Sequence, residues 1–117
     1  MLIFLEKSIN LEDEIMKKLF ISQPMRDSTD DEILKEREKL RLKVEQVIGE
    51  KLELINSFVE ECPGEINKHI PVYYLGKSIL FLSQADIAYF GGEWKNARGC
   101  KIEHEVAVQY GITTIEE

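Results

Sequence analysis

The hydrophobic positions of this chain alternate between two spacings, which predicts strands and helices in turn. Short apolar runs at 18–22, 52–58, 86–90 and 112–115 are typical of buried strands. Apolar residues recur at helical spacing over about 29–49 and 74–83, and again around Glu103. Such alternation favours right-handed crossovers and a mostly parallel sheet covered on both faces. The sequence therefore predicts an α/β fold of the Rossmann-like or flavodoxin-like type, a three-layer sandwich with about four or five strands.

The first long helix carries a clear start signal and one residue that breaks its pattern. Thr29 and Glu32 have the spacing of a capping box, and the helix is expected to run to about Gly49. Its predicted apolar stripe consists of Ile33, Leu40, Val44 and Val47. Arg37 falls inside that stripe, so it either snorkels to solvent, pairs with an acid such as Asp86, or crosses into a partner subunit.

Glu103 is the residue most out of pattern in the chain. It falls in the middle of a broad helical face, one turn from the start of its helix, whose other members are Gly99, Cys100, Ile102, Val106, Ala107 and Tyr110. A lone acid on an inward face is costly unless it is paired, hydrogen-bonded or open to a cleft. Carboxylates in clefts are candidates for chemistry, so Glu103 is a candidate catalytic residue.

Ligands in parallel sheets bind beyond the carboxyl ends of the strands, where the strand order reverses. The loops expected there are 23–28, the segment after Ser57, and 91–99. In the first of them Arg26 precedes a helix N-terminus, which is a natural anion site. Several aspartates crowd the same terminus, so Arg26 is interpreted either as a phosphate clamp or as a solvated partner of those aspartates.

Composition limits the classes of function. The chain has 117 residues, enough for one core, and a net charge of −7 that argues against tracking a nucleic-acid backbone. No apolar run is long enough to span a bilayer, and the first residues do not resemble a signal peptide. Cys62 and Cys100 are too few for a disulfide framework or a tetrahedral zinc site. The expectation is a cytoplasmic protein without a metal, a cofactor or a membrane partner.

Residues 1–15 differ from the rest of the chain. A plausible true start at Met16 is followed by two lysines and an apolar strand, so 1–15 is predicted to be an upstream extension of a domain formed by 16–117. A short amphipathic helix packed on the domain is the equal alternative.

Several motifs together resemble a small family of bacterial and phage proteins. They are Leu19-Phe20-Ile21-Ser22-Gln23-Pro24-Met25-Arg26, Tyr74-Leu75-Gly76-Lys77-Ser78, Ala85-Asp86, Trp94, Ala97-Arg98-Gly99-Cys100 and Glu103-His104-Glu105. That family is similar in turn to nucleoside 2-deoxyribosyltransferases and deoxynucleoside-monophosphate N-glycosidases. In those enzymes a glutamate near the start of a late helix attacks the anomeric carbon. The resemblance implies a nucleoside deoxyribosyltransferase-like fold, a homodimer or higher homo-oligomer, and Glu103 as the nucleophile.

The same resemblance supplies the remaining site residues. Asp86 corresponds to an aspartate that follows a small residue at a strand start, and it is the second candidate catalytic residue. The Met25-Arg26 loop resembles the phosphate-contacting loop of the monophosphate glycosidases. The candidate substrate-binding residues are Ser22, Gln23, Pro24, Met25, Arg26, Trp94, Arg98 and His104.

Breaking an N-glycosidic bond requires a carboxylate against an oxocarbenium-like carbon and a group that receives the base. Asp86 or His104 would then move protons, and Trp94 would stack on the base. Each has a structural alternative: Asp86 as a cap, Trp94 as cover for an apolar edge or an interface, and His104 as a structural residue. Cys100 is interpreted as a core residue rather than a reactive thiol.

Two classes of function follow. The first is an enzyme that cleaves or exchanges the base of a nucleoside or nucleotide. The second is a nucleotide-binding or sequestering protein that kept the pocket and lost the reaction. An interaction module without a ligand would require a structural cation, such as Arg26 or Arg37, to pair with Glu103.

Overall fold

The structure is a computed structural model that describes residues 16–25, 27–58, 61–63 and 68–117. The predicted extension 1–15 lies outside the described residues. The strands in the described part are β1 (Lys17–Ser22), β2 (Leu52–Leu54), β3 (Ile87–Phe90) and β4 (Thr113–Glu116). The α-helices there are α1 (Asp30–Ile48), α2 (Ile70–Leu82) and α3 (Arg98–Gln109), and a 3-10 turn covers Trp94–Asn96. Within these ranges, no helix has both the length and the apolarity needed to cross a membrane.

The four strands form one sheet in the order β2-β1-β3-β4, and every pairing is parallel. Leu19 of β1 stands opposite Ile87 of β3, and Ser22 stands opposite Phe90. The predicted parallel sheet is therefore confirmed. The chain passes from β1 to a neighbour on one side and then returns across β1 to β3 on the other. In parallel sheets such a reversal leaves a crevice beyond the carboxyl ends of the two strands, here β1 and β3, and ligands typically bind there.

Alternate residues of the strands pack against different helix layers, which confirms the three-layer sandwich. One core cluster contains Leu19 and Ile21 with the α1 residues Leu40 and Val44. The other contains Phe20 and Phe90 with Leu82 of α2 and Ala107 of α3. Because side chains alternate along a strand, Ser22 has the same parity as Phe20 and faces the layer formed by α2 and α3.

Helix α1 begins as the sequence predicts. Thr29 Oγ1 accepts a hydrogen bond from the Glu32 backbone N–H at 3.2 Å, and the Glu32 carboxylate accepts one from the Thr29 N–H at 3.3 Å. The helix ends at Gly49, whose φ of 74° is the left-handed conformation that glycine tolerates at helix ends. The prediction for Val47 is wrong, since it is 69% exposed. Ile48, four positions after the buried Val44, packs against the core instead.

Two other element boundaries differ from those predicted. Strand β2 stops at Leu54 instead of continuing to Phe58, and Ile55 donates a last backbone hydrogen bond to the Leu19 carbonyl at 2.9 Å. Helix α2 begins at Ile70, before the predicted start, because Pro71 lies in its first turn, where its missing N–H costs no hydrogen bond. The chain after Leu54 is therefore free to line the crevice.

Candidate active site

Glu103 lies on the first turns of α3 and is only 7% exposed. Its Oε1 accepts a hydrogen bond from the Ser22 hydroxyl at 3.0 Å. Its Oε2 accepts one from the Ser78 hydroxyl, which projects from α2. The carboxylate is thus fixed by hydroxyl donors from two other elements, the end of β1 and the middle of α2.

A cavity of about 330 Å³ opens beside this carboxylate. Its walls come from the end of β1, from α1, α2 and α3, and from the loops after β1 and β2: Ile21, Ser22, Gln23, Met25, Asp30, Ile33, Arg37, Ser57, Phe58, Tyr74, Ser78 and Glu103. The volume lies within the range of small-molecule sites, and the position is the crevice that the strand order requires.

Arg37 enters the same cavity from the opposite helix layer. It is 4% exposed, and its guanidinium lies 4.9 Å from the centre of the Phe58 ring. Its Nη2 donates to the Met25 sulfur at 3.4 Å, whereas Nε and Nη1 find no acceptor among the described residues. None of the placements expected from the sequence is found: Arg37 is too buried to snorkel or to reach a partner subunit. Asp86, the acid proposed for it, lies at the far edge of the sheet.

The charges of Glu103 and Arg37 influence each other without direct contact. Burial raises the pKa of the Glu103 carboxyl above its ordinary value, against the hydroxyls of Ser78 and Ser22 and the charge of Arg37, which lower it. Burial lowers the pKa of the Arg37 guanidinium, and Glu103 opposes that shift. Among the described residues Glu103 has hydroxyl partners and no ion pair.

Part of the predicted site is brought together. Ser22, Gln23, Met25 and Glu103 line the one cavity. Glu103 was expected to share its cleft with the loops 23–26 and 91–94. Gln23 and Met25 of the first loop line the Glu103 cavity, Pro24 does not, and Arg26 lies outside the described residues.

The second loop lies elsewhere. Gly92 and Glu93 border a neighbouring groove of about 610 Å³ together with Pro24 and exposed residues of α1. That groove is larger, but it contains neither Glu103 nor Arg37, so volume alone does not identify the site.

Asp86 does not reach Glu103. It precedes β3, so it lies at the amino edge of the sheet, where its carboxylate accepts a hydrogen bond from the Lys18 N–H at 2.8 Å. The cavity lies at the carboxyl edge. Asp86 therefore has the capping role that was its structural alternative. The second carboxylate on the cavity wall, besides Glu103, belongs to Asp30.

Trp94 and His104 do not line the Glu103 cavity either. Their rings stack on each other with centroids 4.4 Å apart, and Trp94 packs into the core against Phe90. His104 Nε2 lies 2.7 Å from the Glu116 carboxylate. The Trp94 ring lies against His104 of α3 and is only 7% exposed, and it is not among the residues that line the cavity. It therefore cannot stack on a base bound beside Glu103 in this arrangement.

Arg98 is exposed and borders a separate groove of about 660 Å³ between the starts of α2 and α3. Cys100 is buried, and burial raises the pKa of its thiol, as suits a core residue. No group of three or more His, Cys, Asp or Glu side chains in the described ranges is arranged to hold a metal.

Sequence reasoning missed several cavity residues. Arg37 gave a signal, because it interrupts an apolar stripe, but the pattern did not say what it faces. Ser78 and Tyr74 were candidates for the mouth of the site, but their spacing alone could not place them there, since the rotation of α2 about its axis depends on packing. Ser57 and Phe58 were predicted as strand residues, although they lie beyond the end of β2.

Comparisons of the chain with models of protein families, with curated proteins and with solved structures found no match.

Proposed function

We propose that the protein cleaves or exchanges the base of a nucleoside or nucleotide, with Glu103 as the nucleophile. The observation that carries this proposal is the position of its carboxylate, which is buried on the wall of a small-molecule cavity at the reversal point of a parallel sheet. Two serine hydroxyls fix both carboxylate oxygens, so the group is oriented before a ligand arrives.

The reaction would begin with the Glu103 carboxylate attacking the anomeric carbon. A C–O bond to the enzyme forms as the C–N bond breaks, and the electron pair of that bond leaves with the base. The base takes up a proton from a water molecule, for whose binding Asp30 offers a second carboxylate on the cavity wall. Water or a second base then attacks the same carbon and releases Glu103.

Attack requires the charged form of Glu103. The groups facing it favour that form: the hydroxyls of Ser78 and Ser22 donate to it, and Arg37 adds a positive charge. Burial opposes them and keeps the carboxylate poorly solvated. The site therefore combines a weakly hydrated nucleophile with groups that stabilise its charge.

A nucleotide-binding protein without the reaction is the second candidate. It is favoured by the hydrogen bonds that both Glu103 oxygens already accept, and by the positions of Asp86 and His104, the expected proton carriers, outside the cavity. An interaction module is less well supported, because hydroxyl groups rather than a structural cation satisfy Glu103 among the described residues.

The test is incubation of the full chain with a panel of nucleosides and nucleoside 5′-monophosphates. Free base is measured by chromatography, and ligand binding by the shift in melting temperature. Base release supports the enzyme, and stabilisation without release supports the binding protein. If no ligand does either, both candidates fail.

Glu103→Gln is the decisive variant, because the amide keeps the shape but cannot act as the nucleophile. Its oxygen accepts a hydrogen bond from one serine hydroxyl, and its NH2 group donates one to the other. We expect base release to fall by orders of magnitude while ligand affinity stays within about threefold. Glu105→Gln on the exposed side of α3 is the matched control. A rate of base release in Glu103→Gln equal to that of the unsubstituted protein would exclude Glu103 as the nucleophile.

A further inference from the structure

We infer that Arg37 binds the phosphate of the substrate, so that the protein acts on a nucleoside 5′-monophosphate in preference to a nucleoside. The inference rests on the proposed function and adds the substrate class and the residue that selects it. Its basis is a buried guanidinium, 4% exposed, that lines the Glu103 cavity with unused hydrogen-bonding capacity.

Arg37 has far fewer partners than a buried arginine needs. A guanidinium carries five N–H groups, and buried charges are ordinarily paired and hydrogen-bonded. In the described residues Arg37 makes one hydrogen bond, to the Met25 thioether, which is a weak acceptor. Nε and Nη1 have none, and Phe58 covers one face of the group by a cation–π contact. The side chain is held in place but its donors are not satisfied.

The Met25 side chain is a replaceable partner. It belongs to the loop after β1 and is 47% exposed, so moving it out of the cavity sacrifices little packing. Its departure frees the Arg37 edge that now donates to sulfur. Phosphate oxygens match the planar fork of arginine and form bidentate, charge-assisted hydrogen bonds that a thioether cannot provide.

The other charges of the cavity place the anion at Arg37. The carboxylates of Glu103 and Asp30 also line the wall and repel a phosphate, so Arg37 is the cation available to it among the described lining residues. Arg37 enters from the α1 layer and Glu103 from the α3 layer. In a nucleoside 5′-monophosphate the phosphate is attached through C5′ on one face of the sugar ring, and a nucleophile that displaces the base attacks C1′ from the other face. One such molecule can therefore present the carbon to Glu103 and the phosphate to Arg37.

The test is calorimetric titration of matched pairs, each a nucleoside and its 5′-monophosphate, in the Glu103→Gln background to prevent turnover. We expect the monophosphate to bind about 10- to 100-fold more tightly, the usual range for hydrogen bonds to a charged group. Arg37→Gln should bring the two affinities to within about threefold, chiefly by weakening monophosphate binding. Lys43→Gln removes an exposed cation from the same helix and should leave the preference unchanged.

Several results would overturn the inference. One is equal affinity for the nucleoside and its monophosphate in the Glu103→Gln protein with Arg37 intact. Another is a preference that survives Arg37→Gln but disappears in Arg26→Gln, which would assign the phosphate to the loop. A third is an affinity for inorganic phosphate equal to that for the monophosphate, which would make free phosphate the ligand. Should Arg37→Gln melt early, Arg37→Lys keeps the charge without the fork and is expected to lose most of the preference.

Failure of this inference and failure of the proposed function give different results. Base release that does not depend on Arg37 leaves the enzyme standing and removes the phosphate assignment. A preference for the monophosphate that depends on Arg37, without base release, removes the enzyme and keeps the phosphate assignment. The protein would then be a phosphate-selective binding protein.

Discussion

Ser22 and Glu103 are hydrogen-bonded at 3.0 Å although 81 positions separate them in the chain. Ser22 is the last residue of β1, and Glu103 lies on the helix that follows β3. Their contact requires β1 and β3 to be paired in the observed register, with Ser22 opposite Phe90. The candidate nucleophile is therefore oriented by the pairing of the two central strands.

The raised pKa of Glu103 predicts how its replacement affects stability at different pH. Because the folded pKa lies above the ordinary value of 4.5, protonation favours the folded state. The contribution of Glu103 to the free energy of unfolding is largest below that value and is lost as the pH rises through the folded pKa. Glu103→Gln carries no such dependence. We expect its stability advantage over the unsubstituted protein to grow with pH across this window and then level off.

Urea denaturation of both proteins at a series of pH values measures that difference. Taking the difference cancels the titration of the other carboxyl groups, such as Glu117, whose pKa is lowered by the Tyr89 hydroxyl. An advantage that shrinks as the pH rises would mean that Glu103 is stabilised as a charge and forms a structural ion pair.

Ser78→Ala removes the donor to Glu103 Oε2, and that hydrogen bond lowers the pKa of the carboxyl. Without it the pKa rises, so the acid limb of the pH–rate profile for base release should shift to higher pH. The profile is measured by chromatography of the released base. Ser83→Ala, at the end of the same helix and outside the cavity, should not move it. An unshifted limb in Ser78→Ala would separate Glu103 from the titration that controls the reaction.

Asp86→Asn should leave ligand affinity and base release within about twofold of the original values. The amide oxygen still accepts the hydrogen bond from the Lys18 N–H, so the loss of stability should stay below about 1 kcal/mol. Asp30→Asn, on the cavity wall, is the contrasting variant and should reduce base release. A large loss of activity in Asp86→Asn would restore the catalytic role expected from the sequence.

Thr29→Ala should destabilise the protein by about 1 kcal/mol, because it removes the side-chain acceptor of the capping box on α1. The midpoint of urea denaturation should fall with an unchanged slope. Thr29→Ser retains the hydroxyl and should match the original stability closely. Equal midpoints for the Ala variant and the original protein would show that solvent satisfies the helix terminus equally well.

Local patterns in the sequence were sufficient for the fold class. Hydrophobic spacing reports which face of a helix or strand is buried, and a capping box involves residues only three positions apart. The parallel sheet, the start of α1 and the inward position of Glu103 all follow from such short-range information. The position of Asp86 outside the site was also predictable in this way. A residue that precedes a strand lies at the amino edge of a parallel sheet, away from the crevice at the carboxyl edge.

The partners of Glu103 were decided by tertiary structure alone. Which side chains of α1 and α2 reach the cavity depends on how each helix is rotated and placed against the sheet, and the sequence pattern fixes only the inward face. Packing therefore decided that Arg37 and Ser78 line the cavity. It also decided that Trp94 is buried against His104. The sequence determined that a carboxylate is buried, because burial follows local periodicity. The fold determined which hydroxyls and which cation surround it, because those contacts join residues that are distant in the chain.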